Sequence, residues 1–89
     1  MKSVTTERFR KAFDLLPEPI QQKARSAYKK WQLDPIHPSL NYKKVHSTEP
    51  IYSVRIDLKY RALGVKNRTT LIWFWIGSHE EYNNIVNSL

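Results

Sequence analysis

Two arginines and one histidine in the second half of the chain have the side-chain chemistry needed to act on a phosphodiester. Arg55 and Arg61 lie six positions apart, and His79 follows the stretch 73–78, WFWIGS. Arginine binds phosphate oxygens through paired N–H donors, and histidine transfers protons near neutral pH. Together they could stabilise a pentavalent phosphorus and move a proton, if the fold brings them to one surface.

Other kinds of chemical site find little support in the sequence. The chain has no cysteine, and its three histidines lack the spacing of metal ligands, so we expect no metal and no cofactor. Its two glycines do not form a phosphate-binding loop. Ser78 lacks the surroundings of a nucleophilic serine. We assign His37 and His46 to loops.

The charge distribution suggests a polyanionic or acidic partner. The 89 residues carry a formal net charge of +7, and ten of the fifteen Lys and Arg residues lie in the first 45 positions. A small basic protein of this kind suits nucleic acid or an acidic protein as a partner; a soluble domain with charged helix faces is the alternative.

The sequence shows no signal-peptide pattern and no run of about 20 apolar residues. We expect one soluble cytoplasmic domain, 1–89, without a membrane partner.

Prolines divide the first half of the chain into two predicted helices. Apolar residues at helical spacing predict the first helix over 6–16. The sequence LPEP ends it, because a residue that precedes proline is disfavoured in helical conformation. A second apolar stripe predicts a helix over 19–34. The short connection between them predicts an antiparallel hairpin.

The second half has the period of β-strands. From Ile51 apolar and polar residues alternate, and tight turns separate two further strands, YRALGV and TTLIWFWIG. A short strand near residues 2–4 is a further possibility, and 78–89 is predicted to form a short helix or tail capped by Ser78. The fold class is therefore α+β with two layers. An antiparallel helical hairpin packs on one face of a small antiparallel sheet of three to four strands.

Alternation also predicts which side chains share a sheet face. One face should pack under the helices through Val54, Ile56, Ile72, Phe74 and Ile76. The opposite face should be free and should carry Arg55, with Trp73 and Trp75 beside it and Lys59 as a further candidate. Arg61 joins Arg55 if the tight turn keeps the register, and His79 does so if alternation continues past Gly77. Exposed indoles there could stack single-stranded bases. The competing interpretations are that both tryptophans only pack, that Arg55 pairs with Asp57 or Glu49, and that His79 is structural.

The segment YSVRIDLKYRALGV followed by LIWFWIGSHEEY resembles the core of the RelE/ParE superfamily of bacterial toxins, and its short RelE-type members most closely. The upstream stretch LLPEPIQQKARSAYKKWQLDPIHPSL is similar to the helical hairpin of that family and its approach to the sheet. The resemblance spans nearly the whole chain. It implies a toxin of a type II toxin–antitoxin system, which inhibits translation by metal-independent, ribosome-dependent cleavage of mRNA.

The resemblance also implies roles for individual residues. Arg61 matches the family's arginine, which is implied to stabilise the phosphate in the transition state. Arg55 matches a position on the preceding strand where relatives have a basic residue. His79 falls where relatives have an arginine or a histidine at the end of the last strand. Tyr82 lies near a tyrosine that some members use, at a shorter spacing here. Ser53 stands where some relatives have lysine.

The implied partners are a cognate antitoxin, the ribosome and mRNA, with operator DNA bound only through the antitoxin complex. Candidate contacts to ribosomal RNA phosphates are Lys23, Arg25, Lys29, Lys30, Lys43 and Lys44. The antitoxin is expected as a disordered segment that folds in an apolar groove around Trp73 and Trp75, or on the helical hairpin. Two alternatives stay open: a gyrase-inhibiting toxin of the ParE type, and a degenerate toxin that binds only antitoxin and operator DNA.

Overall fold

A computed structural model describes residues 2–89 as helices packed on both sides of one mixed sheet. The strands are β1 (Lys2–Thr5), β2 (Lys43–Lys44), β3 (Ile51–Arg55), β4 (Tyr60–Asn67) and β5 (Thr70–Ser78). The helices are α1 (Glu7–Asp14), α2 (Glu18–Leu33) and α3 (His79–Ser88), with a 3-10 turn at Pro38–Leu40. The predicted α+β class and helical hairpin are confirmed.

The sheet has five strands in the order β1-β5-β4-β3-β2. The three predicted strands β3, β4 and β5 pair antiparallel, as expected. The additional strands lie at the two edges. β1 pairs parallel with β5, and the two-residue β2 pairs antiparallel with β3. The sheet is therefore mixed and slightly larger than predicted.

Local sequence signals explain where the first two helices begin. Thr6 caps α1, because its side-chain oxygen accepts the N–H of Phe9 at 3.1 Å. α2 begins after Pro17 and has Pro19 in its first turn, where proline costs no hydrogen bond. Trp31 is the largest fully buried side chain of α2. Its ring packs edge-on against that of Trp73 in the sheet, with centroids 5.3 Å apart.

A β-bulge in β5 changes which residues face the helices. Leu63 pairs with Trp75, but Gly64 pairs with Trp73, so Phe74 is an extra residue without a partner on β4. One inserted residue reverses the alternation beyond it. The strict alternation that was predicted for β5 is therefore wrong. Trp73 packs with the helices, whereas Ile72 and Phe74 do not join that core; Ile76 does, as predicted.

The second sheet face, which was expected to be free, is partly covered by α3. Tyr82 of α3 packs on Leu63 and Trp75 in a small core of its own, to which Ile85 and Val86 add partly buried contacts. Burial of one such side chain is worth about 1.5–3 kcal/mol. The C-terminal segment is thus a packed helix that leaves only part of this face exposed.

Among the described residues, none of the helices has the length and apolar character that a bilayer crossing needs.

Candidate active site

Arg55 and Arg61 form the centre of the exposed part of the second face. They are directly opposite each other on β3 and β4, and Arg61 in turn pairs with Gly77 on β5. The three positions therefore make one row across the sheet, beside the row of Ser53, Leu63 and Trp75 that α3 covers. Both arginines are half-buried. Within residues 2–89 neither of them forms an ion pair with a carboxylate.

The guanidinium of Arg61 is held in place by the turn that precedes it. Its Nη1 donates to the backbone carbonyl oxygen of Asp57 and, at 2.9 Å, to that of Tyr60. Burial and then the like charge of Arg55 lower the pKa of Arg61, against the opposing influence of Tyr82 and Asp57. Guanidinium still remains charged near neutral pH. Arg61 is thus a fixed cation whose other donors stay available to a ligand.

His79 lies two residues beyond Gly77, at the first position of α3. Its backbone N–H donates to the carbonyl oxygen of Lys59 at 2.7 Å, which ties the start of α3 to the β3–β4 turn. Ser78 caps the helix by accepting the N–H of Glu81 at 3.2 Å. The imidazole is exposed and stacks on the ring of Tyr82, with centroids 6.0 Å apart. It is therefore accessible to a substrate that contacts the arginine row.

Tyr82 is not accessible in the same way. The residue is 8% exposed, and its hydroxyl donates to Oγ of buried Ser53 at 3.1 Å. Tyr82 therefore has a structural role at the site. Its ring stacks against the imidazole of His79, and its hydroxyl holds α3 on the sheet. Ser53 is the partner that completes this buried hydroxyl pair.

The predicted exposure of Trp73 and Trp75 is wrong. Trp73 is 4% exposed and faces the helices, because the bulge at Phe74 turns it away from the arginines. Trp75 does lie on the arginine face but is 8% exposed, because Tyr82 and the rest of α3 cover it. Neither indole offers a free ring face on which a base could stack. Both are core residues, which was the competing interpretation.

The competing interpretation of Arg55, in which it pairs with Asp57 or Glu49, is not observed. Asp57 pairs instead with Lys23 of α2, at 3.3 Å between Nζ and Oδ2. This leaves the arginine row without a neutralising carboxylate among the described residues. No local sequence pattern indicates this pairing, because it depends on how α2 crosses the end of β3.

The other basic residues that were predicted to bind RNA lie on different elements around the arginine row. Lys43 pairs with Ser53 and so continues the arginine face onto the edge strand, where Lys44 follows it. Lys59 is exposed in the β3–β4 turn. Lys23 and Lys30 line a cleft of about 660 Å³ between α2 and the end of β3, which Arg55 also borders.

Arg25 and Lys29 are separated from the others, on the opposite side of α2. They border an apolar groove of about 490 Å³ between α1, α2 and the sheet. The guanidinium of Arg25 lies over the ring of Phe13, 5.0 Å from its centroid. Trp73 contributes to the floor of this groove. The groove and the arginine face therefore lie on opposite sides of the sheet.

His37 and His46 have the loop positions that were predicted, and their rings stabilise turns. Nδ1 of His37 accepts the N–H of Ser39 at 3.2 Å. Nδ1 of His46 accepts the N–H groups of Thr48 and Glu49 at 3.1 and 2.8 Å. Both rings are thus occupied in local structure, and His79 is the histidine that the fold associates with the arginine pair.

The arrangement suits an anionic ligand that carries a transferable proton. Two adjacent cations without a carboxylate partner attract a phosphodiester, and an exposed imidazole at the end of the same surface could exchange a proton with it. Sequence reasoning missed the contribution of the β3–β4 turn, whose backbone carbonyls hold both Arg61 and His79. The sequence Asp-Leu-Lys between two strands is a turn signal, but it does not show which groups the turn would hold.

Comparison with known proteins identifies a family to which the chain is similar. A family model described as the ParE-like toxin domain matches residues 18–84. A search among curated protein sequences finds no match.

Three solved structures show that the fold is shared with toxins. The RelB–RelE antitoxin–toxin complex from Methanococcus jannaschii has a TM-score of 0.73 and 17% identity, over 92% of this chain and 96% of the other. YafQ from E. coli strain BL21(DE3) has a TM-score of 0.73 and 9% identity, over 91% and 96%. The YoeB/ParE toxin from Agrobacterium tumefaciens has a TM-score of 0.70 and 14% identity, over 89% and 99%.

The family match covers most of the chain, including both arginines, and extends through α3 to residue 84. The predicted RelE-like fold is found in all three structures. The chain belongs to the ParE-like toxin domain family and is a toxin of the RelE/ParE superfamily, whose members act in toxin–antitoxin systems.

Proposed function

We propose that this toxin inhibits translation as an mRNA endonuclease that acts on the ribosome. The observation that carries the proposal is the row of Arg55, Arg61 and Gly77, which leads directly to the exposed ring of His79. This surface combines a phosphate-binding pair with an imidazole that can donate or accept a proton. Its exposure suits a substrate that is presented by a larger particle, and such a substrate requires a cytoplasmic toxin.

The reaction follows from the chemistry of RNA. The 2′-oxygen loses its proton and attacks the adjacent phosphorus, the bond from phosphorus to the 5′-oxygen breaks, and that oxygen leaves with a proton. The products are a 2′,3′-cyclic phosphate and a 5′-hydroxyl. Arg55 and Arg61 stabilise the charge that develops on the phosphorane, commonly the largest contribution to catalysis.

His79 carries out one of the two proton transfers, which contributes about 10²–10⁴-fold. The hydroxyl of Tyr82 is buried against Ser53, so the second transfer falls to water or to a group of the ribosome. The described residues place no second imidazole beside the arginine row, and this supports dependence on the ribosome, which orders the mRNA. No metal ion or cofactor takes part in this scheme.

Basic residues around the site would hold the ribosome. Lys43 and Lys59 extend the arginine face, and Lys44 lies beside Lys43 on the edge strand, with its side chain on the opposite face. Lys23 and Lys30 line the adjoining cleft. Contacts of this kind bind phosphates and position the protein without reading sequence. Arg25 and Lys29 are candidates on the far side of α2.

A cognate antitoxin is the partner that would keep the toxin inactive. One structural relative is a complex of toxin and antitoxin. In this chain the groove between α1, α2 and the sheet has an apolar floor and a rim that includes Arg10, Arg25 and Lys29. It suits an acidic amphipathic segment that folds on binding. Contact with operator DNA would then occur through the antitoxin.

A short pulse of expression in bacteria tests the proposed activity. Incorporation of labelled amino acids and mRNA 5′ ends are followed together, for the wild type, Arg61→Ala and His79→Ala. Lys11→Ala on α1 and Thr69→Ala in the β4–β5 turn are exposed controls away from the arginine row. The proposal predicts rapid arrest with new cuts within codons, lost in the two site variants and kept in the controls.

Inhibition of gyrase is a second candidate, favoured by the ParE-like description of the matching family model. It requires no proton transfer by His79. Arrest with intact mRNA, altered DNA supercoiling and full toxicity of His79→Ala would select it. Absence of any growth arrest from folded wild-type protein would instead identify a toxin that only binds antitoxin and operator DNA.

A further inference from the structure

The β3–β4 turn contacts both candidate catalytic residues through its backbone. The carbonyl oxygen of Asp57 accepts a hydrogen bond from Nη1 of Arg61. Two residues later, the carbonyl oxygen of Lys59 accepts the backbone N–H of His79 at 2.7 Å. A change in the path of this one turn would therefore move the guanidinium and the start of α3 together.

The side chain of Asp57 is the group that closes the turn. Its Oδ1 accepts the N–H of Lys59 at 2.8 Å, so the carboxylate links the two residues whose carbonyls hold the site. Across the turn the backbone N–H of Ile56 donates to Tyr60 at 3.0 Å. Lys23 of α2 reaches Oδ2 from outside.

Little else in the turn is fixed by packing. Leu58, at its tip, is 73% exposed, and Lys59 is exposed as well. Apolar burial therefore contributes little to the conformation of the tip, and local hydrogen bonds determine it. Loss of the Asp57 carboxylate should thus loosen the turn while the two packed faces of the sheet remain intact.

We propose that Asp57 is a positioning residue for the toxin's active surface: its hydrogen bond to the N–H of Lys59 sets the turn that aims Arg61 and anchors His79. The proposal rests on the function proposed above for its effect on cleavage. Asp57 itself need not touch RNA. Its carboxylate is 22% exposed and is occupied by Lys59 and Lys23.

Substitutions of Asp57 separate its two interactions. Asp57→Asn keeps a side-chain oxygen that can accept from Lys59 but loses the charge that attracts Lys23. Asp57→Ala loses both, and Lys23→Ala loses the ion pair alone. Asp34→Ala removes an exposed acid at the end of α2 and serves as the matched control. Urea unfolding identifies the variants that remain folded.

Two readouts follow the site in the full-length protein. NMR of the side-chain Nε–H of Arg61 and of the ring of His79 reports their order without any substrate. Cleavage of mRNA on programmed ribosomes reports the chemistry. Asp57→Ala should shift and broaden both sets of signals and slow cleavage by about 10–100-fold, since a small misplacement of a catalytic group is costly. Asp57→Asn should restore most of the order and the rate, and Lys23→Ala should leave the signals in place.

Several outcomes would overturn the proposal. Unchanged Arg61 and His79 signals in folded Asp57→Ala would show that the carboxylate positions neither residue. Equal disorder in Asp57→Asn and Lys23→Ala would transfer the role to the ion pair. If the wild type cleaves no mRNA, the proposed function fails, and the NMR comparison still decides whether Asp57 positions the two residues.

Discussion

Arg55 and Arg61 are directly opposed across β3 and β4. Like charges in this arrangement destabilise an antiparallel sheet. After burial, the charge of Arg55 is the next largest influence that lowers the pKa of Arg61. The pair therefore costs stability in the free protein, and an anionic ligand would remove that cost. Such a trade of stability for function is common in binding sites.

Substitution of Arg55 should separate stability from activity. We expect Arg55→Gln to raise the free energy of unfolding by about 0.2–1 kcal/mol, because it relieves the repulsion of Arg61. The same change should weaken translational arrest. Urea unfolding and labelled amino-acid incorporation measure the two effects, with Lys11→Gln, an exposed substitution on α1, as the control. A variant that is less stable than the wild type would show that the opposed charges are not a cost.

The buried hydroxyls of Tyr82 and Ser53 should behave as a coupled pair. Tyr82→Phe leaves Oγ of Ser53 buried without its partner, so we expect a loss of about 1–3 kcal/mol. Adding Ser53→Ala should recover part of this loss, since neither hydroxyl then remains unpaired. A double-mutant cycle by urea unfolding measures the coupling. Strictly additive losses would contradict a direct hydrogen bond.

Gly77 should tolerate no side chain. A Cβ at this position would lie 2.6 Å from the ring of Trp75, compared with 3.0 Å from the ring of Trp73 for Gly64. Because Trp75 is packed under Tyr82, it has little room to move. We expect Gly77→Ala to cost about 1–3 kcal/mol and to exceed the cost of Gly64→Ala. Thermal or urea unfolding of both variants checks the order, and the reverse order would contradict it.

Asp57 should also contribute to acid stability. Burial opposes its ionisation, but hydrogen bonds from the N–H of Lys59 and from Lys23 outweigh burial and lower its pKa below the ordinary 3.8. Ionised Asp57 therefore adds stability that is complete above the unfolded-state value and is lost as the pH falls through the lower folded-state pKa.

Below about pH 4 we therefore expect the wild type to lose stability more steeply than Asp57→Asn. Unfolding free energies measured from pH 7 down to pH 2 provide the comparison. Parallel curves for the two proteins would show that the carboxylate is not stabilised by folding.

Sequence patterns were sufficient for the helical hairpin and the three central strands, and they favoured a shared face for the two arginines. Proline positions and helical spacing located α1 and α2, and the two-residue period of β3 and β4 put Arg55 and Arg61 on the same face. In these segments local propensity and tertiary packing agree. The family resemblance added the expectation of a toxin fold, which the structure and the family model confirm.

The placement of the tryptophans could not be predicted in the same way. A stretch that is apolar on both faces gives no signal for the extra residue at Phe74, so alternation assigned Trp73 to the wrong face. The burial of Trp75 depends on α3. Tyr82 of this helix donates a hydrogen bond to Ser53, which lies 29 positions earlier in the chain. Long-range contacts of this kind are determined by packing rather than by local spacing.

The chemical nature of the RNA ends tests the central claim most directly. Purified toxin is mixed with ribosomes programmed with a defined mRNA, and the products are identified by mass spectrometry and by ligation that depends on end chemistry. We predict a 2′,3′-cyclic phosphate and a 5′-hydroxyl within the ribosome-bound codon, with about 10²–10³-fold slower cleavage by Arg61→Ala. Intact mRNA with folded wild-type toxin, or cleavage by Arg61→Ala and His79→Ala at the wild-type rate, would contradict it.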